Sequence, residues 1–164
     1  MKKYLLFVVL PFLLLTIIFS CSDNSTNPED ELTVKPIVLK TSTNYDEQLF
    51  NSLFPQNDIL KTMSDAYKNK YSEKIKMQLI DYVVSKVKTL GENEAIFLEC
   101  FNLSGCQNVN SISLPTYIEK AKYNDEDSWI IQLSWGLESS DLGHYKCFAF
   151  GINSKDTLYY TRCK

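Results

Sequence analysis

The sequence predicts an α+β domain in which N-terminal helices pack on a four- to five-stranded antiparallel meander that disulfides stabilise. Residues 45–90 carry apolar side chains at helical spacings, and from residue 94 onward the apolar pattern changes to that of strands. The connections between the later apolar segments are short, which favours antiparallel pairing of consecutive strands. Helices followed by such strands are typical of the α+β class.

Two short helices are predicted before residue 70. The first runs from Tyr45 to Phe54 and ends there because the residue before Pro55 disfavours the helical conformation. Asn57 or Asp58 can then cap a second helix, since their side chains accept hydrogen bonds from the free amides of a first turn. The apolar residues of this second helix are Ile59, Leu60, Met63, Ala66 and Tyr67.

The strongest helical pattern lies between residues 79 and 90. Its apolar residues recur at spacings of one, three and four, and Gly91 follows as a stop signal. The segment from Lys74 to Leu79 alternates between polar and apolar residues, so an early strand there is an alternative. The apolar residues of the helix are Leu79, Ile80, Val83, Val84, Val87 and Leu90.

Five strands are predicted after this helix. The segment from Ala95 to Leu103 is short, apolar and bounded by glycines, and Tyr117 to Tyr123 is a weaker candidate. Trp129 to Trp135 is the clearest strand, because its apolar and polar residues alternate. The acidic segment 124–127 forms the turn before it. The last two strands are Tyr145 to Phe150 and Thr157 to Cys163, joined by a hairpin loop over residues 151–156.

The N-terminus has the pattern of a secretory signal peptide. Lys2 and Lys3 precede a sixteen-residue apolar run from Tyr4 to Phe19. A helix that spans a bilayer needs about 20 apolar residues, so this run is too short, and a polar stretch follows it. An uncleaved anchor helix is the alternative interpretation.

The end of the apolar run, Ile18-Phe19-Ser20-Cys21, resembles the lipobox of bacterial lipoproteins. The resemblance implies that Cys21 is acylated by diacylglycerol and becomes the new N-terminus after cleavage. It also implies an exported protein of the cell envelope, held by acyl chains on the periplasmic or outer-surface face of a membrane. We recognise no family for the rest of the chain.

Three segments follow from this interpretation. Residues 1–20 are the signal peptide, 21–44 are the lipidated N-terminus and a flexible tether, and 45–164 are a single α+β domain. The tether is predicted because residues 22–31 are polar and acidic. A short strand from Leu32 to Leu39, interrupted by Pro36, is an alternative within it.

Cysteine usage agrees with export. If Cys21 carries lipid, an even number of cysteines remains, and disulfides persist in an oxidising compartment. Of the three connectivities, we favour Cys100–Cys106, which brackets a short loop, and Cys147–Cys163, which flanks the last hairpin. Catalytic or metal-binding thiols are less consistent with the sequence, because no C-x-x-C spacing is present.

Composition excludes several functions. The chain of 164 residues has 17 Lys and Arg against 20 Asp and Glu, so it lacks the basic stripe of a nucleic-acid-binding protein. Its single histidine, His144, is expected at a strand edge, and no nucleophile elbow is present. The acids of segment 124–127 lack the spacing of a calcium loop, so we predict no metal and no cofactor.

Two classes of function remain. One is a non-catalytic envelope lipoprotein that binds a protein or glycan partner, and it predicts an exposed aromatic patch. The other is a small secreted hydrolase, and it predicts convergent carboxylates in a cleft near His144. For the aromatic patch, the alternation of Trp129 and Trp135 with aliphatic residues favours the core, whereas the adjacent Tyr159 and Tyr160 point to opposite faces.

Overall fold

The computed structural model describes residues 32–54, 57–108 and 111–163. Cys21, the expected signal peptide and the first part of the expected tether lie outside these residues. The described residues form four α-helices, five β-strands and one 3₁₀ turn. In chain order the elements are β1 (Ile37–Tyr45), α1 (Glu47–Leu53), α2 (Asp58–Tyr67), α3 (Glu73–Thr89), α4 (Glu94–Leu103), β2 (Ile112–Tyr123), β3 (Glu126–Gly136), the 3₁₀ turn (Ser139–Asp141), β4 (His144–Gly151) and β5 (Thr157–Arg162).

Polar side chains cap the first three helices. The side chain of Asp46 accepts a hydrogen bond from the amide of the third residue of α1, and Asn57 and Ser72 do the same for α2 and α3. The two short helices and the Asn57 cap are therefore confirmed. The alternative strand from Lys74 to Leu79 is wrong, because α3 already begins at Glu73.

The segment from Ala95 to Leu103 is a helix, and its prediction as a strand is wrong. It lies within α4, whose buried residues Phe97, Cys100 and Phe101 have helical spacings of three and four. Asn93 caps this helix by accepting from the amides of two residues in its first turn. A short apolar segment is compatible with a strand or with a helix. Here the Asn93 cap and the burial of one helical face favour the helix.

The strands form one sheet in the order β1-β2-β3-β4-β5. Strands β2 to β5 are the predicted antiparallel meander, but β1 pairs with β2 in parallel, so the sheet is mixed. Parallel pairing is accessible to β1 because the four helices provide the long connection that such pairing needs. The helices are therefore not N-terminal to the whole sheet, and residues 37–44 belong to β1 rather than to a tether.

Helices cover both faces of the sheet, so they do not form a layer on one face only. Trp129, Ile131 and Leu133 pack against α3 and α4, whereas Phe50 of α1 packs on the opposite face with Ile130. The polar residues of β3 on that opposite face are consequently buried rather than solvated, and their side chains hydrogen-bond within the protein. These residues are Ser128, Gln132 and Ser134.

Candidate functional site

A strip of exposed and half-buried side chains crosses one face of strands β3, β4 and β5. We call it the aromatic–basic strip, and its five residues are Trp135, His144, Lys146, Tyr160 and Arg162. The register creates the strip, because His144 pairs with Trp135, Lys146 with Arg162, and Phe148 with Tyr160. Side chains two residues apart on a strand share a face, so the five residues lie together.

The aromatic rings of the strip are braced by their neighbours. The Nζ atom of Lys146 lies 4.8 Å from the centre of the Trp135 ring, a cation–π geometry, and the His144 ring lies 5.4 Å from it. The Tyr160 ring stacks on Phe148 with 4.8 Å between the ring centres, and 41% of Tyr160 is exposed. Both rings are thus held at the surface and partly open to solvent.

The cations of the strip lack acidic partners. Lys146 and Arg162 are paired directly across the β4–β5 ladder, where like charges destabilise a sheet. In the part of the chain that the structure describes, neither side chain forms an ion pair. The nearest acids along the chain are Asp141 for Lys146 and Asp156 for Arg162. The strip is therefore basic on a chain whose net charge is −3.

Part of this strip was predictable from the sequence. Trp135, His144 and Tyr160 were considered, whereas Lys146 and Arg162 were missed. Each of the two missed residues follows a named residue by two positions on a strand, so alternation was the available signal. The other aromatic candidates lie elsewhere: Trp129 is core, and Tyr159 is on the opposite face, where its hydroxyl accepts a 2.7 Å hydrogen bond from Asn51.

A polar cleft of about 610 Å³ lies at the other end of the sheet, where the pairing of β1 with β2 shifts between Lys40 and Asn44. Two of its acids contact lysines: Glu92 lies 2.7 Å from Lys40, and Asp127 lies 3.6 Å from Lys120. Asp127 is eight residues from Trp135 on β3, which places the cleft about 26 Å from His144. The carboxylates of this cleft therefore lie far from His144.

The predicted acidic turn is present as a β-turn between β2 and β3. Asn124 and Asp125 have φ values of 47° and 67°, which suit the tight hairpin. The Asn44 side chain donates to the Asp125 carboxylate at 2.8 Å and accepts from the Asp125 amide at 2.9 Å, so these groups hold the turn. Within residues 32–54, 57–108 and 111–163, no cluster of three or more metal-ligating side chains was found.

A buried carboxylate lies beneath the other face of the sheet. Glu119 is 1% exposed and accepts hydrogen bonds from the hydroxyls of Tyr45 at 2.8 Å, Tyr117 at 2.9 Å and Thr41. Burial is the main cause that raises the pKa of both tyrosines far above the usual range, and their contact with the Glu119 carboxylate raises it further. The tyrosines therefore stay protonated and serve as donors, which is a structural role.

All four described cysteines are free thiols, so the expected disulfides are not present. The Sγ atom of Cys100 lies 4.0 Å from the Gly151 carbonyl, and that of Cys106 lies 3.9 Å from the Ser113 carbonyl. Gly151 pairs with Ser128 of β3, and Ser113 pairs with Trp135 of the same strand. Because these two positions on β3 are seven residues apart, the two carbonyls are separated by about 23 Å along the strand direction. The Cys100–Cys106 pairing is incompatible with this arrangement.

The other expected pair is close. Cys147 pairs with Thr161, and the amide of Cys163 donates to the carbonyl of Tyr145 at 3.2 Å, so the two cysteines are diagonal neighbours on one face. Burial raises the pKa of the Cys147 thiol to about 12 and that of Cys106 to about 11. Such thiols are poor nucleophiles and poor metal ligands at neutral pH.

No protein-family model, curated protein or solved structure matches this chain. Among the helices that the structure describes, none combines the length and the hydropathy needed to cross a membrane.

Proposed function

We propose that this chain is an exported, lipid-anchored lipoprotein of the bacterial cell envelope that binds a protein or glycan partner without catalysis. The aromatic–basic strip is the observation that carries the binding part of the proposal. It presents partly exposed rings and two cations that form no ion pair within the described residues, a combination suited to ligand recognition.

The anchoring part of the proposal rests on Ile18-Phe19-Ser20-Cys21 and on the polar segment that follows it. The acids of that segment are repelled by an anionic membrane surface, so acyl chains on Cys21 would have to supply the membrane affinity. The structure describes the chain from Leu32 onward. Residues 22–31 are then the segment left to separate the folded domain from the lipid.

The alternative of a carboxylate-dependent hydrolase has less support. In the cleft beside β1, Glu92 and Asp127 contact lysines, and in the cleft beside Gly143 Asp65 contacts Lys61 and Lys68. A general acid and a general base need carboxyl groups free to exchange protons with a substrate. Glu119, the one acid that is buried among the described residues, already accepts hydrogen bonds from three hydroxyls.

Mass spectrometry of the membrane-extracted protein tests the anchor. For the wild type we expect an N-terminal peptide that begins at Cys21 and carries diacylglycerol. The Cys21→Ala variant should keep its signal peptide and lack the lipid. A Cys163→Ala variant is the matched control and should be lipidated normally. An unmodified Cys21 in the wild-type membrane fraction would refute the anchor, and affinity capture from intact envelopes then tests for a partner separately.

A further inference from the structure

We propose that the aromatic–basic strip binds an acidic polysaccharide, with sugar rings stacked on Trp135 and Tyr160 and sugar carboxylates paired with Lys146 and Arg162. The inference deepens the proposed binding function and rests on it, since it names the ligand class and the residues. It is carried by three properties of the strip: its charge, its size and the fixed position of its rings.

The charge of the strip is complementary to a carboxylate-bearing ligand. Arg162 is the only arginine of a chain with net charge −3, and it lies directly opposite Lys146. Like charges in this position disfavour the free sheet, and an anion between them converts the repulsion into two attractions. The planar guanidinium of Arg162 also matches a carboxylate in bidentate geometry.

The size of the strip fits a linear chain of sugars better than a protein surface. From Trp135 to the level of Tyr160 the strip covers three rows of side chains, about 13 Å along the strands. Its width over three strands is about 10 Å, so its area is far below the roughly 800 Å² that each partner buries in a stable protein interface. A polysaccharide needs no more than such a narrow surface.

The rings are positioned before any ligand arrives. The indole Nε1 of Trp135 donates to the Tyr145 carbonyl at 3.2 Å, and Lys146 and His144 flank the ring. Tyr160 is held by its stacking on Phe148. A binding surface whose side chains are already immobilised loses little conformational entropy on binding, which favours affinity from a small contact area.

The test titrates the full-length lipoprotein in detergent micelles with polygalacturonate oligosaccharides and follows tryptophan fluorescence and binding heat. We expect saturable binding that weakens with added salt. Arg162→Gln should lower the affinity about tenfold or more, because a charge-assisted contact is lost. Lys122→Gln is the matched control, since it removes one exposed lysine from the opposite end of the same sheet, and it should bind like the wild type.

The second arm uses the same oligosaccharide with its carboxylates methyl-esterified. We expect the wild type to bind the esterified sugar at least tenfold more weakly than polygalacturonate. The Trp135→Leu and Lys146→Gln variants should bind polygalacturonate more weakly than the wild type does, while their circular dichroism spectra remain unchanged. Two results would overturn the inference: no saturable binding by the wild type, or equal affinity for the esterified sugar. If the wild-type protein is lipidated and captures another envelope partner but does not bind polygalacturonate, the proposed ligand class is wrong and the proposed binding function stands.

Discussion

Replacing Tyr117 by Phe tests how the fold holds the buried carboxylate of Glu119. The hydroxyl of Tyr117 donates to that carboxylate at 2.9 Å, and Tyr45 and Thr41 supply the other donors. No cation pairs with Glu119 among the residues that the structure describes. The hydroxyls therefore have to replace the water that a charged carboxylate loses on burial.

The expected loss of stability follows from the number and kind of these hydrogen bonds. A hydrogen bond to a charged group contributes about 1.5–3 kcal/mol, so removing one of three donors should lower the free energy of unfolding by about 2 kcal/mol. For a domain of this size, about 4 °C of melting temperature corresponds to each kcal/mol. Tyr117→Phe should then melt about 8 °C below the wild type.

Urea titration and thermal melting followed by circular dichroism measure this effect. Tyr160→Phe is the matched control, because its ring is exposed, and it should change the stability by less than about 0.5 kcal/mol. In a Glu119→Gln background the cost of Tyr117→Phe should shrink, since the donor then meets a neutral amide. A Tyr117→Phe variant as stable as the wild type, or the same cost in both backgrounds, would refute the reasoning.

Three further predictions concern the thiols and a helix cap. For the reduced protein, the unfolded thiols ionise near pH 9.0, below the raised pKa values of about 11 for Cys106 and about 12 for Cys147. The stability that these thiols contribute is fully present below pH 9. It is lost between pH 9 and the raised pKa of each thiol, by about 1.4 kcal/mol per pH unit for each thiol. Urea unfolding at a series of pH values measures how steeply the free energy of unfolding falls with pH. The Cys106→Ala variant should show a shallower fall, and an unchanged slope would exclude Cys106 as a cause. Replacing the cap of α4, Asn93→Ala, should cost about 1 kcal/mol in urea unfolding, because two amides of the first turn lose their acceptor; an unchanged midpoint would contradict the assigned cap. Under oxidation by a disulfide reagent, non-reducing peptide mapping should find Cys147 joined to Cys163 after a small shift of the last strand; a peptide joining Cys100 to another cysteine would show that the buried arrangement is wrong.

The candidate site shows how far alternation along a strand can be used. Trp135 and Tyr160 could be named from composition and spacing, but their exposure depends on where the helices end on the sheet. Lys146 and Arg162 share a face with them by simple alternation. That the two cations stand directly opposite each other is a property of the β4–β5 register, which no single strand contains.

The sequence by itself determined the local elements of this protein. Pro55 predicted the end of α1, the Asn57 cap and helical spacing predicted α2 and most of α3, and alternation predicted β3, because these signals act between residues close in the chain. The tertiary structure decided the parallel pairing of β1, the helical state of α4 and the cover on both faces of β3. Each of these depends on contacts between distant segments, whose gain in burial outweighs weak local preferences.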